Sequence, residues 1–453
     1  MEPKSNILSP IQKFIKIESF SGILLLFAAI LALAWANSPY SAGYTALWEY
    51  HLGYKSENFE LYKPLILWIN DGFMAVFFFL IGLEIKREFL IGELNTAKKL
   101  AFPLVGAVGG MVVPVLFFVL INNTLSTHPG DTLHGWGIPM ATDIAFSLAI
   151  LKVLGDKVPI SLKIFLTAFA IVDDLGAVVV IALFYTGTIK MLLLGAALAL
   201  IAILYLLSYR GYFSKFIMII FGIAIWVLFL KSGVHPTLAG ILLAFSVPIR
   251  QKVETSQFLS RLEEITTKIK ASSELKEPIL SAEQIHEIDE LQHWTNKYQS
   301  PLQHLEHHLH DWVAYFIIPI FALANSGVIL SSSEGLDFVL VFNIAACLLL
   351  GKSIGVSLFV LLAGKLKIIN IPADITKTQV IGVSFLAGIG FTMAIFIAGL
   401  AFTEHHIYVD SAKIGILIGS TISGIIGYMI LNKQGKKMLA KAEPKPEKAH
   451  ITN

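Results

Sequence analysis

The chain has 453 residues, 55% hydrophobic and 15% charged, with a formal net charge of +2 and a mean hydropathy of +0.72. A soluble domain carries about 25% charged residues, so this composition excludes an ordinary soluble enzyme and points to a multispan membrane protein. The basic residues lie in short loops between apolar runs, which gives no nucleic-acid partner, and the single cysteine, Cys347, excludes a disulfide framework within the chain.

Near the start, Lys13 and Lys16 precede an apolar stretch from Gly22 to Trp35, and Ala32-Leu33-Ala34 has the small residues of a signal-peptidase site. The alternative is a retained first span, which the many spans that follow favour. Read in span-sized windows, apolar segments fall near 14–36, 64–85, 101–121, 136–154, 161–184, 189–208, 216–232 and 235–249. After a polar stretch come four more, near 312–330, 339–363, 379–402 and 412–431, which makes about twelve. Between the first two segments, residues 48–63 carry aromatic and β-favouring residues around Gly53, consistent with an external hairpin or an irregular loop. Residues 250–311 are polar and charged and read as a cytoplasmic loop with surface helices. The tail from 437 to 453 reads as disordered.

Loop charge tests the span count. With a cytoplasmic N-terminus, one set of loops holds Lys86, Arg87, Lys98, Lys99, Lys152, Lys157, Arg210, Lys215, Arg250, Lys365, Lys367, Lys433 and Lys436. The opposite set holds only Lys55, Lys63, Lys190, Lys231 and Lys413. Cytoplasmic loops are enriched in Lys and Arg, so both termini are expected in the cytoplasm.

Ionisable residues inside the spans are costly, by about 2.5–3.5 kcal/mol each on insertion scales, and mark ion or proton pathways. Asp173 and Asp174 are adjacent in the middle of the 161–184 run. Adjacent helical residues point roughly 100° apart, so one can line a cation cavity while the other meets a neighbouring helix. Lys352, at the middle of the tenth span, is a natural partner there; a snorkelling lysine is the alternative. The fourth span is interrupted by Pro139, followed by Thr142 and Asp143 as a helix cap, and the eleventh by Gly388 and Gly390. Paired interruptions in the two halves of a chain point to a transporter site. Carboxylates suit small hard cations, and a carboxylate site that holds either cations or protons is an exchange site.

These residues sit in stretches that resemble the NhaA family of sodium/proton antiporters: INDGFMAVFFFLIGLEIKRE (69–88), GIPMATDIAFSLAIL (137–151), AFAIVDDLGAVVVIALFYT (168–186), KSGVHPTLAG (231–240), LEHHLHDWVAYFIIPIFALANSG (305–327), GKSIGVSLF (351–359) and GIGFTMAIFIAGLAF (388–402). The resemblance covers nearly the whole chain. It implies an all-α membrane protein of twelve helices with inverted-topology repeats, in which the interrupted fourth and eleventh spans cross. It also implies that Asp173 and Asp174 bind Na+, Li+ or protons beside Asp143 and Thr142, with Lys352 pairing Asp173 or balancing helix ends. Further implications are electrogenic exchange activated at alkaline pH, a pH-sensing set of Glu84, Glu88, His235, Glu306, His307 and His310, and a homodimer in a bacterial inner membrane. No cofactor is expected. The 250–301 stretch is longer than the family leads one to expect.

Other readings remain open for some of these residues. His304 and His308, four apart, could hold a metal or simply form a solvated face, and histidine titrates near neutrality. The row Gly415, Gly419, Ser423, Gly427 is explained by helix packing. An intramembrane aspartyl protease needs carboxylates converging from separate segments, which Asp173 and Asp174 do not supply. A proton-coupled symporter of a small solute is the stronger alternative, and a channel lacks a repeated filter motif.

Overall fold

The computed structural model describes residues 10–442 except 58–59, 93, 252, 273–278, 330–334 and 404. Among the described residues each of the twelve apolar segments contains helix. Seven are uninterrupted helices long and apolar enough to cross a membrane, and counting three sharply bent pairs as one span each gives ten. The two remaining segments are the ten-residue helix Thr237–Ser246 and the short run around Ile318–Asn325. Helical backbone satisfies its own polar groups, which is why it dominates wherever water is excluded.

The elements used below are α1 (Pro10–Ala36), β1 (His51–Lys55), β2 (Glu60–Pro64), α2 (Leu65–Leu90), α3 (Ala97–Leu125), α4 (Ile144–Leu154), α5 (Ile160–Phe184), α6 (Met191–Tyr209), α7 (Lys215–Ser232), α8 (Thr237–Ser246), α9 (Thr255–Ser272), α10 (Ala282–Tyr298), α11 (Pro301–Trp312), α12 (Ile318–Asn325), α13 (Phe338–Lys365), α14 (Lys377–Ala387), α15 (Phe391–Ala401) and α16 (His406–Ala442). Residues 48–63 contain the antiparallel hairpin β1–β2, in register His51 with Pro64 through Lys55 with Glu60, and Gly53 takes a φ of 133° within it. The predicted tail begins inside α16, which runs to Ala442; residues 443–453 lie outside the described part.

The chain divides into two compact units, the larger comprising residues 1–77, 88–187 and 313–453. In it α3 lies against α13 at van der Waals range, because glycine faces glycine. A Cβ on Gly355 would stand 2.2 Å from the Gly109 carbonyl oxygen, and one on Gly109 2.4 Å from that of Gly355. Small residues allow such close approach where no hydrophobic force drives membrane helices together. The row on α16 works similarly, with Gly415 and Gly419 against Val341 and Ala345 of α13, and Gly427 against Leu386 of α14.

Two spans of this unit are broken near their middles. In the fourth, a tight helical turn over Leu133–Met140 contains Pro139, the backbone goes extended at Ala141, and Asp143 caps the new helix α4, the two halves being bent by 42°. In the eleventh, α14 stops at Ala387 and α15 starts after Gly390, with a bend of 44°.

The smaller unit comprises residues 78–87 and 188–312. Ala197 and Leu204 of α6 pack with Ile225 and Phe229 of α7 and Ala239 of α8. A second cluster joins Phe79 and Leu83 to Met218, Ala244, Val247 and Leu302. The charged 250–311 stretch forms three helices. α9 and α10 pair through the buried Ile265, the stacked rings of Phe258 and Tyr298 (centroids 4.3 Å apart), and ion pairs from Arg261 to Glu290 and Lys268 to Glu287.

Candidate functional site

The two breaks meet. A broken helix exposes amides with a partial positive charge at each new N-terminus and carbonyls with a partial negative charge at each new C-terminus. In a dry interior every one of these groups needs a partner. At the N-termini, the Asp143 carboxylate serves both spans. Its Oδ1 accepts from the Phe146 amide of α4 at 3.0 Å, and its Oδ2 accepts from the amide and hydroxyl of Thr392 on α15 at 3.1 and 2.6 Å. Ser420 Oγ accepts from the amides of Gly390 and Phe391.

The C-terminal carbonyls are met differently in the two spans. The Met140 carbonyl, last of the first half of span four, accepts from Lys352 Nζ. The last carbonyls of α14 accept from neutral hydroxyls: Phe385 from Ser423 at 2.7 Å, Leu386 from Ser147 at 2.8 Å and Ala387 from Thr142 at 2.9 Å. The Asp143 amide donates to the Ile389 carbonyl at 2.6 Å.

Lys352 Nζ also donates to Asp173 Oδ2 at 2.8 Å, with both side chains fully buried. Among the described residues Asp173 Oδ1 has no partner within hydrogen-bond distance, while the hydroxyl and amide of Thr142 stand near the carboxylate; this oxygen can meet a proton or a cation. Asp174 is buried too, and acts electrostatically on Lys352. The structure thus gathers Asp173, Asp174, Lys352, Asp143, Thr142, Pro139, Gly388 and Gly390 in one unit. Thr392, Ser147, Ser420 and Ser423 take part in the break without having been singled out for it in the sequence. Isolated hydroxyls are ordinary in membrane helices, and Ser423 looked like one member of a packing row.

The residues of the implied pH sensor fall out differently. Glu84, Glu306 and His310 belong to the smaller unit with Arg87, which sequence reasoning had placed only among the basic loop residues. Arg87 Nε reaches both carboxylate oxygens of Glu306 at 2.9 Å, and His310 Nδ1 lies 3.8 Å from Glu84 Oε1. Burial pushes the Glu306 carboxyl up to about 7; Arg87 and His310 oppose this and the like charge of Glu84 adds to it. A hydrogen-bonded arginine would ordinarily lower a carboxyl, so desolvation wins here. Lys86 donates to the Phe245 and Val247 carbonyls at the C-terminal end of α8.

His307 is exposed, its ring edge-on to His308. His235 is not in this cluster: its Nδ1 is 2.7 Å from Thr237 Oγ1 at the N-terminal end of α8. Glu88 falls in the larger unit. The rings of His304 and His308 are 4.1 Å apart, and among the described residues no three His, Cys, Asp or Glu side chains converge as metal ligands. Burial and the nearby Lys215 hold His304 below the usual histidine range.

Two discontinuous helices meeting break to break, with two carboxylates and a lysine buried beside them, define a secondary transporter of a small cation. The family model described as Na+/H+ antiporter 1 matches residues 12–431. The chain is 44% identical over 437 residues to the Na(+)/H(+) antiporter NhaA of Oleidesulfovibrio alaskensis, covering 95% of each chain. It is 42% identical over 444 residues to that of Koribacter versatilis, covering 98% of this chain and 95% of the relative. With that of Serratia proteamaculans it shares 42% over 424 residues, covering 93% and 97%. The chain belongs to this family of sodium/proton antiporters, and the symporter, protease and channel alternatives fall away.

Proposed function

We propose that the chain expels internal Na+ or Li+ in exchange for external protons, that Asp173 and Asp174 hold these ions by turns, and that exchange is electrogenic and rises with pH. The observation that carries this reading is the buried pair of Asp173 and Lys352 at the carbonyl of Met140. Lys352 answers two negative demands at once, the carboxylate and the broken helix end. A cation arriving at Asp173 and Asp174 competes with Lys352 for Asp173 and with protons for both carboxylates. The hard oxygen donors suit Na+ and Li+, and loading by one ion expels the other. Asp143 and Thr142 hold the walls of the site by capping α4, α15 and α14.

On the same reading Glu84, Arg87, Glu306 and His310 set the pH at which exchange rises. Glu88, His235 and His307 are further members of the sensing set on family grounds. Both termini lie in the cytoplasm of a bacterial inner membrane, as the loop charges favour, and the β1–β2 hairpin joins two copies in a homodimer.

Everted vesicles with an internal pH dye test the core of this reading. Na+ and Li+, but not K+, should dissipate the pH gradient, and Asp174→Asn should abolish the response at every pH, because an amide neither neutralises a cation nor releases a proton. A full sodium response in that variant, with expression verified, would refute the site. Moving one net charge per cycle is worth about 2.3 kcal/mol per 100 mV, so collapsing the membrane potential should change the rate. An unchanged rate means one-for-one exchange.

A further inference from the structure

α13 ends in a backbone conformation that its sequence makes costly. The Lys367 amide bonds to the Gly364 carbonyl at 3.2 Å and the Ile368 amide to the Ala363 carbonyl at 2.9 Å, the two hydrogen bonds of a Schellman end. The residue in the left-handed position of such an end is usually glycine, yet here it is Lys367, at a φ of 58°. Among the described residues it is the sole non-glycine with positive φ. Strain of this kind points to a role for the side chain that glycine would not supply.

Lys367 lines the rim of a groove of about 910 Å³ between α13, α14 and the loop joining them, together with Lys365 and Lys377. All three lysines are exposed, and among the described residues none has an ion pair. The one carboxylate in this part of the sequence, Asp374, accepts from the Ser161 hydroxyl. Three cations thus stand against one acid. Below the rim the walls are mainly apolar, formed by Ile354, Leu358 and Leu361 with Ser353 and Ser357 on one side and Ile381 and Phe385 on the other. From Lys365 back to Ile354 the helix rises roughly 16 Å, about half of a hydrocarbon core of about 30 Å. Ile354 and Leu358 are 44% and 52% exposed, so the groove opens sideways to the membrane.

A cationic rim above a one-leaflet apolar trough matches one kind of molecule. We propose that this groove binds an anionic phospholipid of the lysine-rich, cytoplasmic leaflet, its phosphate held by Lys365, Lys367 and Lys377 and an acyl chain lying along Ile354, Leu358 and Phe385. Basic pockets between spanning helices recognise anionic headgroups in this manner. Three lysines favour an anionic over a zwitterionic headgroup by on the order of a hundredfold at roughly the strength each contributes near a charged surface. The occupant would brace the α13–α14 connection from the lipid side.

Thermal unfolding of the full-length protein in neutral detergent tests this, with phosphatidylglycerol, phosphatidylcholine or soluble glycerol phosphate added in turn. Phosphatidylglycerol should raise the midpoint by several degrees, and the other two should not. Replacing the lysines together (Lys365→Gln, Lys367→Gln, Lys377→Gln) should remove most of that preference, leaving only what other lipid contacts give. Leu358→Trp should weaken it with all three lysines in place, because an indole fills the trough at a lipid-exposed position. Lys367→Gly should raise the lipid-free midpoint by relieving the backbone while reducing the response to phosphatidylglycerol. Equal responses to the two lipids, an undiminished preference in the triple variant, or a matching shift from glycerol phosphate would each overturn the proposal.

Discussion

In the paired break Asp173 and Lys352 are wholly buried, whereas Arg87 and Glu306 of the smaller unit keep 28% and 15% of their side chains exposed. Both are acid–base pairs joined at under 3 Å, yet their surroundings assign them different work. Asp173 is met by Lys352, which is shared with the Met140 carbonyl, while neighbouring hydroxyls and Asp143 answer the remaining helix ends. Around Glu306 the partners are other charged or polar side chains, Arg87, Glu84 and His310. The first pair is anchored to a helix end through its lysine; the second stands among other charged side chains at the edge of a span.

The sharpest way to break this contrast is Lys352→Ala. Removing one partner of a buried pair typically costs about 3–5 kcal/mol, and here a helix-end carbonyl loses its donor as well. The variant should unfold at a markedly lower temperature in detergent and exchange ions abnormally. Wild-type melting and kinetics would show that Lys352 compensates nothing. Thr142→Val is a smaller step, keeping shape but leaving the Ala387 carbonyl without its hydroxyl. An unsatisfied buried acceptor costs about 1–3 kcal/mol, so a loss of stability of that size is expected, against little change if local helix bonds suffice.

Glu306→Gln should have the smallest effect on the maximal rate of exchange and the most specific effect on pH response. The Glu306 carboxyl is raised from 4.5 to about 7 in the folded protein. The folded state therefore binds its proton more tightly than the unfolded one, and the stability it contributes is present at acid pH and lost as pH rises from about 4.5 through 7. At full strength this is on the order of 3 kcal/mol. Ionisation above neutrality removes this contribution, the direction that the proposed rise of activity with pH requires. Gln holds the neutral form, so the rise should move while the maximal rate is largely kept, measured at saturating sodium to suppress competition at the carboxylates. A profile superimposable on wild type would dissociate this cluster from regulation.

Much of the site is legible in the sequence because membrane interiors penalise anything polar. Asp173, Asp174 and Lys352 stand out as charges in apolar runs, and Pro139, Gly388 and Gly390 as interruptions, before any contact is known. The capping role of Asp143 follows from its place after a break. What is not legible is which hydroxyl answers which carbonyl. Ser147 and Thr392 act on residues 239 and 249 positions away, Ser420 and Ser423 on the helices just before their own, and a single serine in a span looks the same whether it packs or caps. The 250–301 stretch shows helix-like pieces in sequence, but the ion pairs that couple α9 to α10 depend on a reversal that composition does not specify. Span length is legible only approximately, as the ten residues of α8 illustrate.

Asp143 fastens α4 and α15 with three hydrogen bonds accepted by one side chain, although Thr392 lies 249 residues from it in the chain. Mechanically this is a pin joint. Hydrogen bonds fail beyond roughly 3.5 Å, so sliding either half-helix along its axis by an ångström would shear the joint. A small turn of the two halves about the carboxylate changes these three distances far less. The pin therefore filters the motions open to the break: tilts pass, and slips are resisted.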